Sequence, residues 1–177
     1  MVTVDDALVS DLSEHDEYVT ARTLVETLER NHVAEGPGVP REVVDAYAEA
    51  LEFDRERFDR SLAARVTEGR TWQPGDRIYE VDGNLSIYPE SWHERLADTT
   101  DLVDYVEVMV ESVRAPAGVE VPRDELGVVQ EKLITAVEII GGLDRNAVRG
   151  LIKKHRLDGT LVLYAFQNPE ELVRLPE

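Results

Sequence analysis

Arg77-Ile78-Tyr79-Glu80-Val81-Asp82-Gly83-Asn84-Leu85-Ser86-Ile87-Tyr88 is the stretch on which the fold turns. Two apolar-alternating runs, Arg77 to Val81 and Asn84 to Tyr88, flank Asp82-Gly83. An Asp-Gly pair in that setting favours the two-residue turn whose twist matches its strands, so a β-hairpin is predicted here. The chain before it has a helical period instead. Tyr18, Ala21, Leu24, Val25 and Leu28 mark one face of a helix expected to begin at Ser13 and stop at Asn31, ahead of the loop Gly36-Pro37-Gly38. Pro40 suits a first helical position, and Val43, Val44, Tyr47, Ala48 and Leu51 line a second helix. Asp54 caps a third, which buries Phe58, Leu62 and Val66 before Gly69.

Three helices followed by a hairpin is the order of a winged helix. Beyond it, Pro89-Glu90-Ser91 opens a short helix with Trp92 and Leu96. Leu102, Val103, Val106, Met109, Val110 and Val113 fit a helix face, although Val106, Val108 and Val110 also alternate as a strand would; length and the Thr99-Thr100-Asp101 start favour the helix. Arg114 to Pro122, with Pro116 and Gly118, reads as a linker. An apolar helix follows from about Asp124 to Ile140, then Gly141-Gly142, then a helix from Asp144 with Val148, Leu151 and Ile152 inward, ended by Leu157-Asp158-Gly159. Thr160 to Phe166 reads as a strand, and Asn168-Pro169-Glu170-Glu171 as the start of a short final helix. The second half thus repeats the first in outline. The expected fold is mainly α with a short β-hairpin and strands, built as two winged-helix-like halves: a domain over 1–98, a connecting helix and linker over 99–121, and a second helix-turn-helix-like domain over 122–177.

Charge narrows the function classes. The 177 residues carry 37 Asp plus Glu against 19 Lys plus Arg, a net charge of −18, yet 42% are hydrophobic, enough apolar surface to fold. Such an excess repels itself in dilute buffer, and molar salt screens the repulsion over about 3 Å, so the composition points to a salt-rich cytoplasm. Carboxylate pairs are then weak markers of acid–base catalysis. The absence of cysteine removes disulfides, thiolate metal sites and thiol nucleophiles, and His15, His32, His93 and His155 lie far apart. No export leader or membrane-spanning run is read, no Ser, His and Asp set has a recognisable context, and no catalytic residue, cofactor or metal is expected.

A helix-turn-helix needs a small residue for close helix packing, a glycine four positions on for the tight turn, and apolar anchors that leave the outer face of the second helix free for a major groove. Ala48, Glu52, Phe58 and Leu62 follow this spacing with Glu52 in the glycine position; Glu138, Gly142, Val148 and Leu151 follow it with Glu138 in the small one. Only the two candidate recognition helices and their flanks are locally basic, +1 over 53–77 and +3 over 142–159. Arg145, Arg149 and Lys153 stand four apart and should form one exposed stripe, extended by Lys154 and Arg156 and opened by Asn146. In the first half Arg55, Arg57, Arg60 and Arg65 are interleaved with Asp54, Glu56 and Asp59. Three readings stay open: cations paired with the acidic bulk, a phosphate-contacting face, or a docking site for an acidic protein.

The run Thr135-Ala136-Val137-Glu138-Ile139-Ile140-Gly141-Gly142-Leu143-Asp144-Arg145, with Arg156 to Ala165 and Gln167-Asn168-Pro169, resembles an uncharacterised family of haloarchaeal proteins, most clearly over the last 60 or so residues. That resemblance implies a salt-adapted cytosolic protein and carries no site residues with it. More loosely, Ala46 to Gly69 resembles the helix-turn-helix of archaeal winged-helix regulators. The expected function is a non-enzymatic DNA-binding or transcription-associated regulator, with double-stranded DNA met through Asn146, Arg145, Arg149, Lys153 and Lys154 and through Arg55, Arg57 and Arg60. The alternative is a winged-helix-like module for an acidic protein partner; either reading is compatible with a homodimer.

Overall fold

A computed structural model describes residues 2–14, 19–117 and 127–176, which are mainly α-helical with short strands. The chain divides into two compact units, Met1–Arg70 with Gly75–Glu90, and Thr71–Pro74 with Ser91–Glu177. The division falls at 90/91 rather than after 98, and the segment expected to connect two domains belongs to the second unit.

In the first unit, α1 (Asp6–Ser13) is capped by Asp5, whose carboxylate accepts from the Ala7 and Leu8 N–H groups. No helix was expected over α1, and the helix expected from Ser13 to Asn31 is shorter at its start. Thr20 is extended and its hydroxyl accepts from the Thr23 N–H, so α2 (Ala21–Arg30) starts at this cap; 15–18 lie outside the described residues. Ala21, Leu24, Val25 and Leu28 of α2 pack against α3 (Arg41–Ala50), which buries Val44, Tyr47 and Ala48, and against α4 (Arg55–Arg65), which buries Phe58 and Leu62. Val66, expected on the face of α4, is instead its cap and begins β1 (Val66–Thr67). The hairpin forms as read: β2 (Ile78–Val81) and β3 (Asn84–Ser86) pair antiparallel, Tyr79 opposite Ser86. Asp82 and Gly83 both take left-handed backbone (φ 51° and 81°), as its tight turn requires. β1 joins β2 in parallel, and Val39 bridges antiparallel to Leu85 on the other side.

The second unit contains α5 (Glu90–Leu96) from Ser91 onward and α6 (Leu102–Ala117), which buries Leu102, Tyr105, Val106, Val108, Met109 and Val110. The valine alternation is thus helical, and α6 runs through 114–117, where a linker was expected; 118–122 lie outside the described residues. The start expected for the apolar helix at Asp124 lies outside the described residues; α7 (Gln130–Gly141) follows β4 (Val128–Val129), whose backbone pairs antiparallel with β5 (Leu172–Val173). Helix α8 (Arg145–Asp158) begins at its Asp144 cap and ends at Gly159. Two further expectations fail. Thr160 to Phe166 contributes only one bridge, Val162 to Arg174, and Pro169-Glu170 is a turn instead of a helix start. The reason is local competition for hydrogen bonds. No side chain caps α7, so its orphan Gln130 and Glu131 N–H groups donate to the carbonyls of Glu171 (2.9 Å) and Pro169 (3.0 Å), which ties that segment down in a turn that begins at Asn168.

Each unit has the winged-helix order. The first runs α2, Val39, α3, α4, β2, β3, with Val39 beside β3 and β3 beside β2. The second runs α6, β4, α7, α8, Val162, β5, with β4 beside β5 and β5 beside Val162. One offset of 90 positions relates Val39 to Val129, Asp54 to Asp144, Phe58 to Val148 and Leu62 to Ile152.

Candidate nucleic-acid interface

The turn that presents the second helix is built alike in both units. Glu52 holds a left-handed φ of 60° between α3 and α4, and Gly142 one of 71° between α7 and α8. Glutamate therefore takes the backbone that glycine would supply without strain, a substitution costing about 1 kcal/mol. Two positions past each turn residue, an aspartate caps the next helix: Asp54 accepts from the Arg57 N–H at 2.8 Å and Asp144 from the Ala147 N–H at 2.9 Å. Fully buried Leu62 and Ile152 anchor the inner faces. The sequence pattern placed Leu151 in that role, but Leu151 is only half-buried.

The outer faces differ. On α4, Arg55 pairs with Asp45 (3.2 Å) and Asp59 (3.1 Å), and Arg41 of α3 pairs with the same two carboxylates at 3.0 Å each. Its hydrogen bond to Asp59, helped by the charge of Asp45, raises the Arg55 guanidinium above its ordinary value. Arg60 pairs with Glu56 at 3.0 Å, and Arg65 donates to the Asp76 carbonyl. Of the cations expected to contact DNA from this helix, Arg57 alone forms no ion pair among the described residues.

On α8, Arg145 leaves the stripe. It grips Glu131 of α7 with both guanidinium arms, at 2.7 and 2.5 Å, and this contact is the chief cause raising its pKa; the charge of Glu138 adds to it. Glu138, buried at the position where helix packing prefers a small residue, thus lies in the field of a cation. Arg149 lies half-buried over the Phe166 ring, 5.4 Å from its centroid, a contact that fixes where the guanidinium points. Asn146, Lys153 and Lys154 are exposed, and neither lysine forms an ion pair among the described residues.

Helical spacing puts Asn146, Gly150, Lys153 and Leu157 along the centre of the exposed face, with Arg149 on one flank and Lys154 on the other. Gly150 and Leu157 had not been singled out. A Cβ at Gly150 would meet nothing within 4 Å, so packing does not require this glycine although it weakens the helix interior. Leu157 is 77% exposed and Tyr164, on the segment after α8, is 75% exposed. The Tyr164 carbonyl accepts from Arg156 at 3.4 Å, which brings the two elements together. A count of the outward helical positions would have found Gly150 and Leu157; Tyr164 and Phe166 were hidden by reading their segment as a strand.

Among the described residues no group of three His, Asp or Glu side chains is disposed to hold a metal, and no helix is long and apolar enough to cross a membrane. The chain matches no family model, no curated protein and no solved structure.

Proposed function

We propose that the protein is a non-enzymatic DNA-binding regulator that meets duplex DNA through α8 and the segment after it. The observation that carries this reading is the outer face of α8. Two lysines stand there without carboxylate partners among the described residues, Asn146 and Arg149 offer directional donors, and Gly150 leaves room at the centre for close approach. Asparagine and arginine suit base edges, and lysines suit phosphates. The corresponding face of α4 spends Arg55 and Arg60 on internal pairs, so a single unit of the two carries the contact.

At the molar salt implied by the acidic excess, counterion release adds little affinity, so binding has to come from base-edge and water-mediated contacts and to be selective. The test is selection from a random duplex pool in molar KCl, wild type against Arg149→Glu. Wild type enriches a defined sequence, and the variant loses about 1 to 3 kcal/mol of affinity for it. Enrichment of nothing by the wild type rejects the reading.

A second reading rests on Leu157 and Tyr164, the large apolar side chains most exposed among the described residues, beside the basic face. They suit an acidic protein partner with an apolar spot. Asn146→Ala separates the two: it relaxes DNA selection by removing a base-edge donor, whereas docking of an acidic protein on Leu157, Tyr164 and the lysines survives it.

A further inference from the structure

A cavity of about 530 Å³ opens in the first unit where the α3–α4 turn meets the start of α2. This lies within the size range of small-molecule sites. Its apolar wall is Phe53 and Phe58, whose rings stand 5.8 Å apart, together with Leu51 and Val19. Its polar lining includes residues of both signs of charge, Arg57 against Glu52 and Asp54.

The state of these charged groups limits what fits. Arg57 has no ion-pair partner among the described residues, in contrast to Arg41, Arg55 and Arg60 around it. Asp54 gives Oδ1 to the cap of α4 and keeps its second oxygen. Glu52 is exposed and stands on a left-handed backbone. A purely anionic guest would meet two carboxylates against one guanidinium, and a purely cationic guest would leave Arg57 unmatched. A guest with both charges close together and an apolar body satisfies all three groups and the phenylalanine wall.

We infer that this cavity is a binding site for a small apolar zwitterion of the α-amino acid class, its carboxylate on Arg57, its ammonium toward Glu52 and Asp54, and its side chain against Phe53 and Phe58. The inference is independent of the DNA reading, because the cavity is formed wholly within the first unit and its occupancy is read without DNA.

The experiment is a protein-observed NMR titration of the full chain in molar KCl with L-leucine and L-phenylalanine. Phenethylamine and 3-phenylpropanoate, each lacking one of the two charges, are titrated alongside. Shifts at Phe53, Phe58 and Ser61 that saturate, with either amino acid about tenfold tighter than both single-charge compounds, are expected. Arg57→Gln removes that advantage while the melting temperature stays put, since the side chain is exposed. Equal binding of a single-charge compound overturns the inference. So does the absence of saturable shifts at millimolar amino acid in a folded wild type.

Discussion

Helices α4 and α8 stand in the same place in the same topology and bury the same positions, yet the cations of their outer faces are paired differently. On α4, Arg41 and Arg55 knit with Asp45 and Asp59 into a closed ring of ion pairs. On α8 the residue matching Asp59 is Arg149, so the ring cannot close, and the guanidinium turns to Phe166. Exposed pairs of the α4 kind stabilise by about 0 to 1 kcal/mol each, so the ring is a small gain in stability and a large loss of available charge. The lesson is that equal folds and nearly equal numbers of cations do not make equal surfaces; what decides is which carboxylates lie within reach.

The comparison breaks first if the inner faces are not equivalent. Leu62→Ala and Ile152→Ala each remove a fully buried side chain at matching positions, and each should cost about 2 to 5 kcal/mol by denaturant unfolding. A loss well under 1 kcal/mol at either site would mean that the two helices are not anchored alike.

Acidity should act on the units with opposite sign. Glu29 of α2 is buried and accepts from Ser86 Oγ (2.8 Å) and the Ile87 N–H (2.7 Å); burial outweighs these bonds and raises its pKa from 4.5 to about 7. The folded state then holds the extra proton between pH 4.5 and 7, so this group's contribution to stability is present below that window and lost as pH rises through it. His93 of α5 is buried and lowered from 6.5 to about 4, so the unfolded state holds the extra proton and stability is lost as pH falls from 6.5 to 4. Each effect is bounded at about 3 kcal/mol. Glu29→Gln, which can keep both hydrogen bonds, should gain on wild type at pH 8 and not at pH 4.5, while His93→Gln should lose its deficit as the pH drops to 4. Thermal melts in molar KCl check both, and a pH-independent difference in either variant would remove its assignment.

The smallest effect is at Gly150. Gly150→Ala fills empty space on an exposed helical face and should stabilise by about 0.5 to 1 kcal/mol, while weakening DNA binding because the added methyl stands at the centre of the contact face. Unchanged binding would leave Gly150 without a role.

Much of the fold was legible because its signals are local: the Asp82-Gly83 turn, the Asp54 and Asp144 caps, and the helical spacing of Val44, Tyr47, Phe58 and Leu62. What was misread depends on distant partners. Val128 and Val129 look like the start of an apolar helix until Val173 and Leu172 pair with them, and the segment after Asn168 looks like a helix start until its carbonyls are taken by Gln130 and Glu131. The candidate face was legible as a local surplus of cations. Which of them remain available was not, since Glu131 lies 14 positions from Arg145 and Asp45 lies 10 from Arg55.

The central claim is that α8, not α4, carries the DNA face, and one affinity measurement tests it most directly. The duplex selected by the wild type is titrated in molar KCl with Lys153→Glu/Lys154→Glu and, in parallel, with Arg55→Glu/Arg60→Glu. The first variant should bind about tenfold to a hundredfold more weakly than wild type with an unchanged melt, and the second within about twofold of wild type once its folded fraction is matched. Equal losses in the two, or a loss confined to the α4 variant, would contradict the account.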